Sequence, residues 1–271
     1  MATRIVLIGA AGRMGLAMVR LLAEGRVAGL ELAGAVDLST APGQGDDIGE
    51  LAGAGSLGIP LTADLPALAD VADVFIDFSF HRGMAERMAL LQTWGKAVVV
   101  GTTGLTEDEK AAVHAAGEVI PVVFSPNMSL GINLLYSLVE QAARALKGKA
   151  YDIEVIERHH RRKLDAPSGT ALYLGQAAAD GSDWNLQDVA KDGRTGMASG
   201  DRPDAEIGFH AIRGGDFAGD HTVIFATDGE SIELHHRATS RDTFATGALR
   251  AASWVSEMAP GLYRMQDVLG L

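Results

Sequence analysis

Residues 4–15 read RIVLIGAAGRMG, and this stretch decides the fold of the first half of the chain. Its apolar start is rich in β-branched residues and predicts a buried strand, and the apolar spacing over 16–22 predicts a helix. Gly9 would permit the tight turn between them, Gly12 would let the backbone approach a pyrophosphate, and Gly15 would let helix and strand pack closely. The spacing is GxxGxxG and not the usual GxGxxG, so this turn alone is also compatible with a βαβ unit that binds nothing.

An acidic residue follows where a dinucleotide site needs one. The apolar run Leu30–Val36 predicts the next strand, and it ends in Asp37, about twenty residues past the last glycine. An acid at this position accepts hydrogen bonds from the ribose hydroxyls of a dinucleotide and repels a 2′-phosphate. Asp37 therefore favours NADH. Arg13, in the glycine turn, could still reach a 2′-phosphate and permit NADPH.

Strands and helices continue to alternate through the first half. Apolar runs predict further strands over 72–78, 96–100 and 119–124. This alternation predicts a Rossmann-like, doubly wound parallel sheet. The loop 101–104 (GTTG) follows a strand, and ligands bind at the carboxyl ends of such strands, so Thr102 and Thr103 are candidate contacts. They could equally be turn residues alone.

The second half has a different pattern. A long amphipathic helix is predicted over 130–146 and a strand over 151–157, and a loop-rich stretch covers 181–203. Three alternating stretches follow, listed with the turns between them: 205–213, Gly214-Gly215-Asp216, 221–227, Asp228-Gly229 and 231–239. This order predicts a smaller α+β domain with an open, mostly antiparallel sheet. A last helix over 243–258 and a tail over 263–271 close the chain.

Residues 157–170 read ERHHRRKLDAPSGT and carry the candidate chemistry. The turn residues APSGT lead into a predicted helix over 171–177, whose first N–H groups and dipole would form an anion site. Lys163 adds a positive charge, and a histidine can supply a proton near neutral pH. Together they suit a small carboxylate substrate that must be protonated. A solvated basic loop before an ordinary helix is the alternative.

No metal site is predicted. Adjacent histidines such as His159 and His160 point to opposite faces of a strand, and no nearby cysteine or acid completes a ligand set. We read the second pair, His235 and His236, as strand residues at the rim of the site or of an assembly surface.

Bulk composition excludes several classes of protein. The chain has 271 residues and a net charge of −12, which argues against a nucleic-acid binder. It has no cysteine, so thiol chemistry and disulfides are excluded. No apolar run approaches the ~20 residues of a membrane span, so no membrane partner is expected. The first strand begins within four residues of Met1, which leaves no room for a signal peptide and predicts a cytoplasmic protein.

The two ends of the chain together resemble the 4-hydroxy-tetrahydrodipicolinate reductase family over nearly the full length. Residues 9–15 match the family's glycine loop, GxxGRMG, and 157–171 match its substrate motif, ExHHxxKxDAPSGTA. The segments 101–104 (GTTG) and 125–131 (SPNMSLG) are also similar to family segments. The substrate motif is highly specific, and the glycine loop is moderately so.

The resemblance implies a hydride transfer from a nicotinamide nucleotide to a cyclic dicarboxylate, with loss of water. It implies a dinucleotide-binding domain over 1–127 and 239–271, and a substrate-binding domain over 128–238 whose open sheet forms a homotetramer. His159 and Lys163 are carried over as catalytic residues, and His160, Gly169 and Thr170 as substrate contacts. The implied cofactor contacts are Gly9, Ala10, Ala11, Gly12, Arg13, Met14, Asp37, Gly101, Thr102, Thr103, Ser125, Pro126, Asn127 and Met128.

The cofactor choice is where this chain departs from part of the family. Some members have an arginine directly after the ribose-binding acid, and here Leu38 stands there. We therefore expect NADH to be preferred and NADPH to be usable.

Two other classes are open at this point. A different nicotinamide oxidoreductase of the same two-domain plan, such as an aspartate or homoserine dehydrogenase, would not need the long substrate motif. A non-catalytic nucleotide sensor would be expected to have lost His159 or Lys163, and both are present.

Overall fold

The computed structural model of the chain describes residues 2–197 and 200–271. The chain divides into two compact units: a first unit of Met1–Leu130 and Arg241–Leu271, and a second unit of Gly131–Ser240. The sequence prediction set the domain boundaries at 127/128 and 238/239.

The first unit is built on a sheet of parallel strands with helices on both faces. Its strands are β1 Thr3–Ile8, β2 Leu30–Val36, β3 Leu61–Thr62, β4 Val74–Asp77, β5 Ala97–Val100, β6 Pro121–Phe124 and β12 Gly261–Tyr263. Its helices are α1 Arg13–Ala23, α2 Ile48–Leu51, α3 Met84–Trp94, α4 Glu107–Gly117, α8 Asp242–Val255 and α9 Met265–Leu269, with a 3₁₀ turn at Pro66–Leu68. The strand order is β12-β6-β5-β4-β1-β2-β3. The predicted doubly wound parallel sheet is confirmed.

The core of the first unit explains why its strands are continuously apolar. Ile5 and Leu7 of β1 are buried on one face of the sheet, and Val6 and Ile8 are buried on the other. A parallel sheet covered on both faces requires this pattern. The end of the chain returns to the same unit, because β12 pairs with β6 at the sheet edge.

The second unit packs helices on one face of a second sheet. Its elements are α5 Leu130–Leu146, β7 Asp152–His159, α6 Gly169–Ser182, α7 Leu186–Val189, β8 Ala190–Asp192, β9 Ile207–Arg213, β10 Gly219–Thr227 and β11 Glu230–Ala238. The strand order is β11-β10-β7-β9-β8. The helix predicted over 130–146 is present with those bounds. α7 and the exposed edge strand β8 lie in the stretch predicted as loop, because each is too short to show a period.

The mostly antiparallel sheet predicted for this unit is wrong in part, because the sheet is mixed. β10 runs antiparallel to β7 and β11, but β9 runs parallel to β7, and β8 parallel to β9. Gly214-Gly215-Asp216 therefore does not close a hairpin, since β7 lies between β9 and β10. The loop crosses the end of β7, where Gly214 N–H donates to the His159 carbonyl (3.1 Å) and His160 N–H to the Phe217 carbonyl (3.0 Å). A glycine turn marks a reversal of the chain, but it does not reveal which strand becomes the neighbour.

No helix among the described residues combines the length and the apolar character needed to cross a bilayer.

Candidate active site

The glycine loop of the first unit is shaped by close backbone contacts. Gly9 has φ +82°, and a Cβ there would lie 2.6 Å from the Phe78 carbonyl oxygen. A Cβ on Gly15 would lie 2.5 Å from the carbonyl oxygen of Gly9. Both positions exclude a side chain, as the sequence analysis expected of a turn that brings helix and strand together.

The N-terminus of α1 suits an anionic group. Gly12 is the N-cap and provides no side-chain hydrogen bond, and the first turn, which contains Arg13 and Met14, carries no acid. The exposed donors and the positive end of the helix dipole therefore face no competing carboxylate from this turn.

Asp37 is fixed against the glycine loop. Its Oδ2 accepts from Ala11 N–H (2.9 Å), and its Oδ1 accepts from Leu38 N–H (2.8 Å). A cavity of about 640 Å³ opens beside it and is lined by Gly9, Gly12, Asp37 and Leu38, among others. Three predicted cofactor residues thus border one cavity.

Phe80 and Arg82 are among the residues lining this cavity that the sequence did not single out. The Arg82 guanidinium carbon lies 5.7 Å from the centroid of the Phe80 ring. Their signal was weak, because they follow β4 in a loop with no motif. Arg13, the cation that the sequence analysis did name, is exposed and is not among the lining residues.

The threonine loop after β5 is anchored by a buried carboxylate. Asp77 is fully buried, and it accepts from the Thr102 hydroxyl (2.9 Å) and from Arg87 Nε (2.6 Å). The Thr102 hydroxyl therefore has a structural partner, while Thr103 is exposed. The Phe78 ring occupies the space that a side chain on Gly101 would need.

The segment 125–128 forms a compact turn after β6. The Ser125 hydroxyl donates to the Asn127 carbonyl (3.0 Å), and Asn127 Oδ1 accepts from Ser129 N–H (2.9 Å). Pro126 is exposed, whereas Met128 belongs to the hydrophobic core. The Met128 side chain is therefore a packing group, which leaves its backbone as the part that a cofactor could contact.

In the second unit, His159 ends β7 beside a buried carboxylate. His159 Nδ1 lies 2.6 Å from Glu157 Oε2, and the Arg213 guanidinium donates to both Glu157 oxygens at 2.7 Å. Burial raises the pKa of Glu157, but the hydrogen bonds from His159 and Arg213 outweigh it and hold the pKa at about 2. Glu157 is therefore ionised at neutral pH.

The same carboxylate holds the start of α6. Glu157 Oε1 accepts from Ser168 N–H (3.0 Å), and Ser168 caps the helix by accepting from Ala171 N–H (3.2 Å). The first turn of α6 carries no acid. The structure thus brings His159 and an anion-binding helix end together through one glutamate.

A second buried histidine, His221 on β10, completes this corner. Its ring lies edge to face with that of His159 (5.1 Å between centroids), and its Nε2 lies 3.2 Å from the Ser168 hydroxyl. Burial and the charge of His159 lower the pKa of His221 to about 3, so this ring is neutral in the physiological range.

The remaining predicted substrate residues lie on the turn and helix that follow β7. Lys163 N–H donates to the His160 carbonyl (3.1 Å), and Lys163 Nζ pairs with Asp165 (2.9 Å). Gly169 is exposed and Thr170 is half-buried at the first two positions of α6. The Lys163 ammonium is thus paired with Asp165 in this structure.

Sequence reasoning missed Glu157, Arg213 and His221 as parts of the site. Glu157 could have been found, because it lies two residues before His159 on the same strand, and residues two apart on a strand share a face. Arg213 and His221 could not, because their proximity depends on β7 lying between β9 and β10. No group of His, Asp or Glu within residues 2–197 and 200–271 is arranged to hold a metal ion.

Fold and site together define a Rossmann-type oxidoreductase that depends on a nicotinamide nucleotide, with a separate α+β unit that holds a histidine against a buried carboxylate. Residues 3–128 match the family model described as "Dihydrodipicolinate reductase, N-terminus", and residues 131–269 match "Dihydrodipicolinate reductase, C-terminus". The chain belongs to the dihydrodipicolinate reductase family.

Individual proteins agree with this assignment. The 4-hydroxy-tetrahydrodipicolinate reductase of Alkalilimnicola ehrlichii is 51% identical over 100% of both chains, and that of Chromohalobacter salexigens is 50% identical over 99% of both. The solved dipicolinate-bound dihydrodipicolinate reductase of Paenisporosarcina sp. TG-14 is 25% identical, with a TM-score of 0.73 and coverage of 98% of this chain and 99% of that one. A probable dehydrogenase from Thermotoga maritima, 12% identical with a TM-score of 0.61 over 98% of this chain and 92% of that one, shares the fold alone.

Proposed function

We propose that this chain is a 4-hydroxy-tetrahydrodipicolinate reductase. In this reaction (2S,4S)-4-hydroxy-2,3,4,5-tetrahydrodipicolinate takes up a hydride and a proton and loses water, giving tetrahydrodipicolinate in the diaminopimelate route to lysine. The observation that carries the proposal is that Glu157 holds both His159 and the N-terminus of α6. A proton donor beside an anion-binding helix end is what a dicarboxylate that must be protonated requires.

The second unit provides the groups that would bind this substrate. The N–H groups of Gly169 and Thr170, at the start of α6, would hold one carboxylate together with the Thr170 hydroxyl. Lys163 would hold a carboxylate and stabilise the negative charge that develops in the transition state. His160 would contact the substrate from the same turn.

His159 would act as the general acid. A hydride that arrives at an unsaturated carbon leaves negative charge on the conjugated system, and that charge is removed by a proton. His159 Nδ1 is held by the ionised Glu157, which leaves Nε2 as the nitrogen that would pass a proton to the substrate. After transfer, a proton from solvent would restore the ring for the next turnover.

The bound nicotinamide nucleotide supplies the hydride. We assign its binding to the first unit, whose glycine loop leaves no space for side chains at Gly9 and Gly15 and whose α1 begins without a capping side chain. The proposed contacts are Gly9, Ala10, Ala11, Gly12, Arg13, Met14, Asp37, Gly101, Thr102, Thr103, Ser125, Pro126, Asn127 and Met128. For Thr102 and Met128 the contact would come from the backbone, because their side chains are engaged elsewhere.

We further propose that NADH is preferred over NADPH. Asp37 presents a carboxylate to the cavity, and Leu38, at the following position, is exposed and uncharged. A 2′-phosphate would meet repulsion from Asp37 and no cation at position 38. NADPH stays usable in this proposal through Arg13 or Arg82.

A homotetramer formed through the open face of the second sheet is also part of the proposal. The face away from α5 and α6 presents Ile156, Ile212 and Ile224 among charged groups, as the strand register requires. Sedimentation velocity tests this, since a monomer at assay concentration would contradict it. The cytoplasmic location is likewise a prediction.

The test of the activity is a coupled assay. Freshly made product of dihydrodipicolinate synthase is added to the protein with NADH or NADPH, and loss of reduced cofactor is followed by absorbance. We expect rapid oxidation that requires both the protein and the synthase product. Oxidation with aspartate semialdehyde or homoserine, and none with the synthase product, would replace the proposal with another dehydrogenase.

A further inference from the structure

Glu157 lies at the centre of the hydrogen-bond network around His159. Its two carboxylate oxygens, 1% exposed, accept from Ser168 N–H and one Arg213 nitrogen at Oε1, and from the other Arg213 nitrogen and His159 Nδ1 at Oε2. Each oxygen thus has two donors. A buried carboxylate with this set of donors has no remaining capacity for substrate, so its effect on chemistry must pass through the groups that it holds.

The ionised carboxylate dictates which ring nitrogen of His159 carries a proton. An ionised carboxylate can only accept, so Nδ1 of His159 must be the donor at 2.6 Å. The proton that the ring can give up is therefore the one bound at Nε2, and the neutral ring that remains keeps its proton on Nδ1.

The surroundings leave Nε2 free for chemistry. Gly219, at the start of β10, has φ +153° and carries no side chain. A Cβ there would lie 3.3 Å from His159 Nε2, so the glycine leaves space beside this atom. Among the residues that the structure describes, none makes a hydrogen bond to this atom. The His159 side chain keeps 11% of its surface exposed, so the ring is held at one nitrogen and open at the other.

We propose that Glu157 is a positioning residue for the proposed reaction: it keeps a proton on Nδ1 of His159 and holds the ring in one rotation, so that Nε2 is the atom that takes up and donates the proton. This inference rests on the proposed role of His159 as the general acid. Arg213 weakens the charge of Glu157 without removing it, and His221, the other titratable group against the ring, is uncharged. Lys163 and Asp165 pair with each other on the neighbouring turn.

A merely structural role for Glu157 is the competing explanation. By holding Arg213 and Ser168 N–H, Glu157 would stabilise the corner whether or not His159 titrates. The two roles separate in the variant Glu157→Gln. The amide oxygen should take the Oε1 position, where the fixed backbone donor Ser168 N–H lies, so the amide NH₂ should face His159 Nδ1. The neutral ring would then carry its proton on Nε2, and Nδ1 would accept.

The chain offers a matched control on the same strand. Glu154 lies three residues before Glu157 on β7 and therefore on the other face of the strand. It accepts from His210 Nε2 (2.8 Å), from Arg194 (2.8 and 3.0 Å) and from Arg202 (3.2 Å). Glu154→Gln removes a carboxylate from an equivalent histidine and arginine cluster that does not contact His159. Because Glu154 lies beside Ile224 on the face proposed to form the tetramer, sedimentation velocity is used to check that this variant assembles as the wild type does. An effect seen in both variants would come from losing a carboxylate, whereas an effect seen only in Glu157→Gln would come from the contact with His159.

The direct readout is the long-range ¹H–¹⁵N spectrum of the histidine rings in the protein without substrate or cofactor. The His159 signals are assigned by their loss in His159→Gln. At a pH where the ring is neutral, we expect the Nδ1–H tautomer in the wild type and in Glu154→Gln, and the Nε2–H tautomer in Glu157→Gln. An Nε2–H tautomer in the folded wild type would overturn the proposal, even if Glu157→Gln failed to fold.

The second readout is the pH profile of kcat/KM. Loss of the carboxylate should lower kcat roughly tenfold or more and change the shape of the pH profile, and Glu154→Gln should do neither. Equal profiles for Glu157→Gln and Glu154→Gln would overturn the proposal. An inactive wild type would contradict the proposed function and leave the tautomer result as the separate test of Glu157.

Discussion

The candidate cofactor site of the first unit is built from backbone, whereas the candidate proton-donating corner of the second unit is built from buried side chains. Around Gly9 and Gly15 the structure excludes side chains and offers N–H groups and a helix end. Around His159 it collects ionised and titratable groups that hold one another through Glu157. We therefore expect the first site to be sensitive to added volume at Gly9 and Gly15, and the second to changes in the groups that Glu157 holds.

The largest expected effect comes from adding one methyl group to the backbone site. In Gly15→Ala the Cβ would lie 2.5 Å from the Gly9 carbonyl oxygen, and backbone cannot move away as a flexible side chain can. We expect the free energy of unfolding to fall by about 3 kcal/mol and NADH binding to be lost. Urea unfolding and NADH fluorescence measure the two effects. Gly214→Ala, where a Cβ meets no atom within 4 Å, is the control.

A smaller change at the same site should alter cofactor choice without loss of fold. Leu38→Arg places a guanidinium beside Asp37, where it can pair with a 2′-phosphate in an interaction on the order of 1.5–3 kcal/mol. This corresponds to roughly 10- to 150-fold in the ratio of kcat/KM for NADPH to that for NADH. Leu38→Gln, which adds length without charge, should leave the ratio nearly unchanged. A wild type that strongly prefers NADPH would contradict the role given to Asp37.

In the second unit, Lys163→Ala should lower turnover and substrate affinity together, by roughly tenfold in kcat/KM. In the proposed reaction the Lys163 ammonium, which uses one donor on Asp165, would hold a substrate carboxylate with another and stabilise the charge that develops in the transition state. Steady-state kinetics separate the two parameters. An effect confined to KM would reduce Lys163 to a binding residue. Lys149→Ala, which removes a lysine that bonds only to the backbone of α5, is the control.

The difference between the two regions also explains how much the sequence could predict. The glycine loop, the strand Leu30–Val36 and the helix over 130–146 all follow from local rules, and the structure has them. The parallel course of β9 and the contact of Arg213 with Glu157 follow from the order of strands, which depends on packing over long sequence separations. The motif ERHH indicated the candidate site, but only the fold shows that Glu157 contacts His159.

The smallest expected effect is a pH dependence of stability that belongs to His221. Its pKa is about 3 in the folded protein against an ordinary value of 6.5, so the unfolded chain takes up a proton first. The stability from its neutral burial is present above pH 6.5 and is lost as the pH falls from 6.5 towards 3. Between pH 6.5 and 5.5 we expect a loss of roughly 1 kcal/mol in the wild type. His221→Gln should lack this loss, and His114→Gln, on an exposed helix face, should retain it; urea midpoints across this range decide.

The proposed division of roles assigns nucleotide binding to the first unit and proton donation to His159 of the second unit. It is tested most directly by measuring NADH binding and turnover in one preparation of His159→Gln. We predict a wild-type dissociation constant for NADH, an unchanged unfolding midpoint, and turnover of the synthase product lowered by roughly 10²-fold or more. Turnover at the wild-type level would remove His159 from the mechanism, and a changed NADH affinity would contradict the assignment of nucleotide binding to the first unit alone.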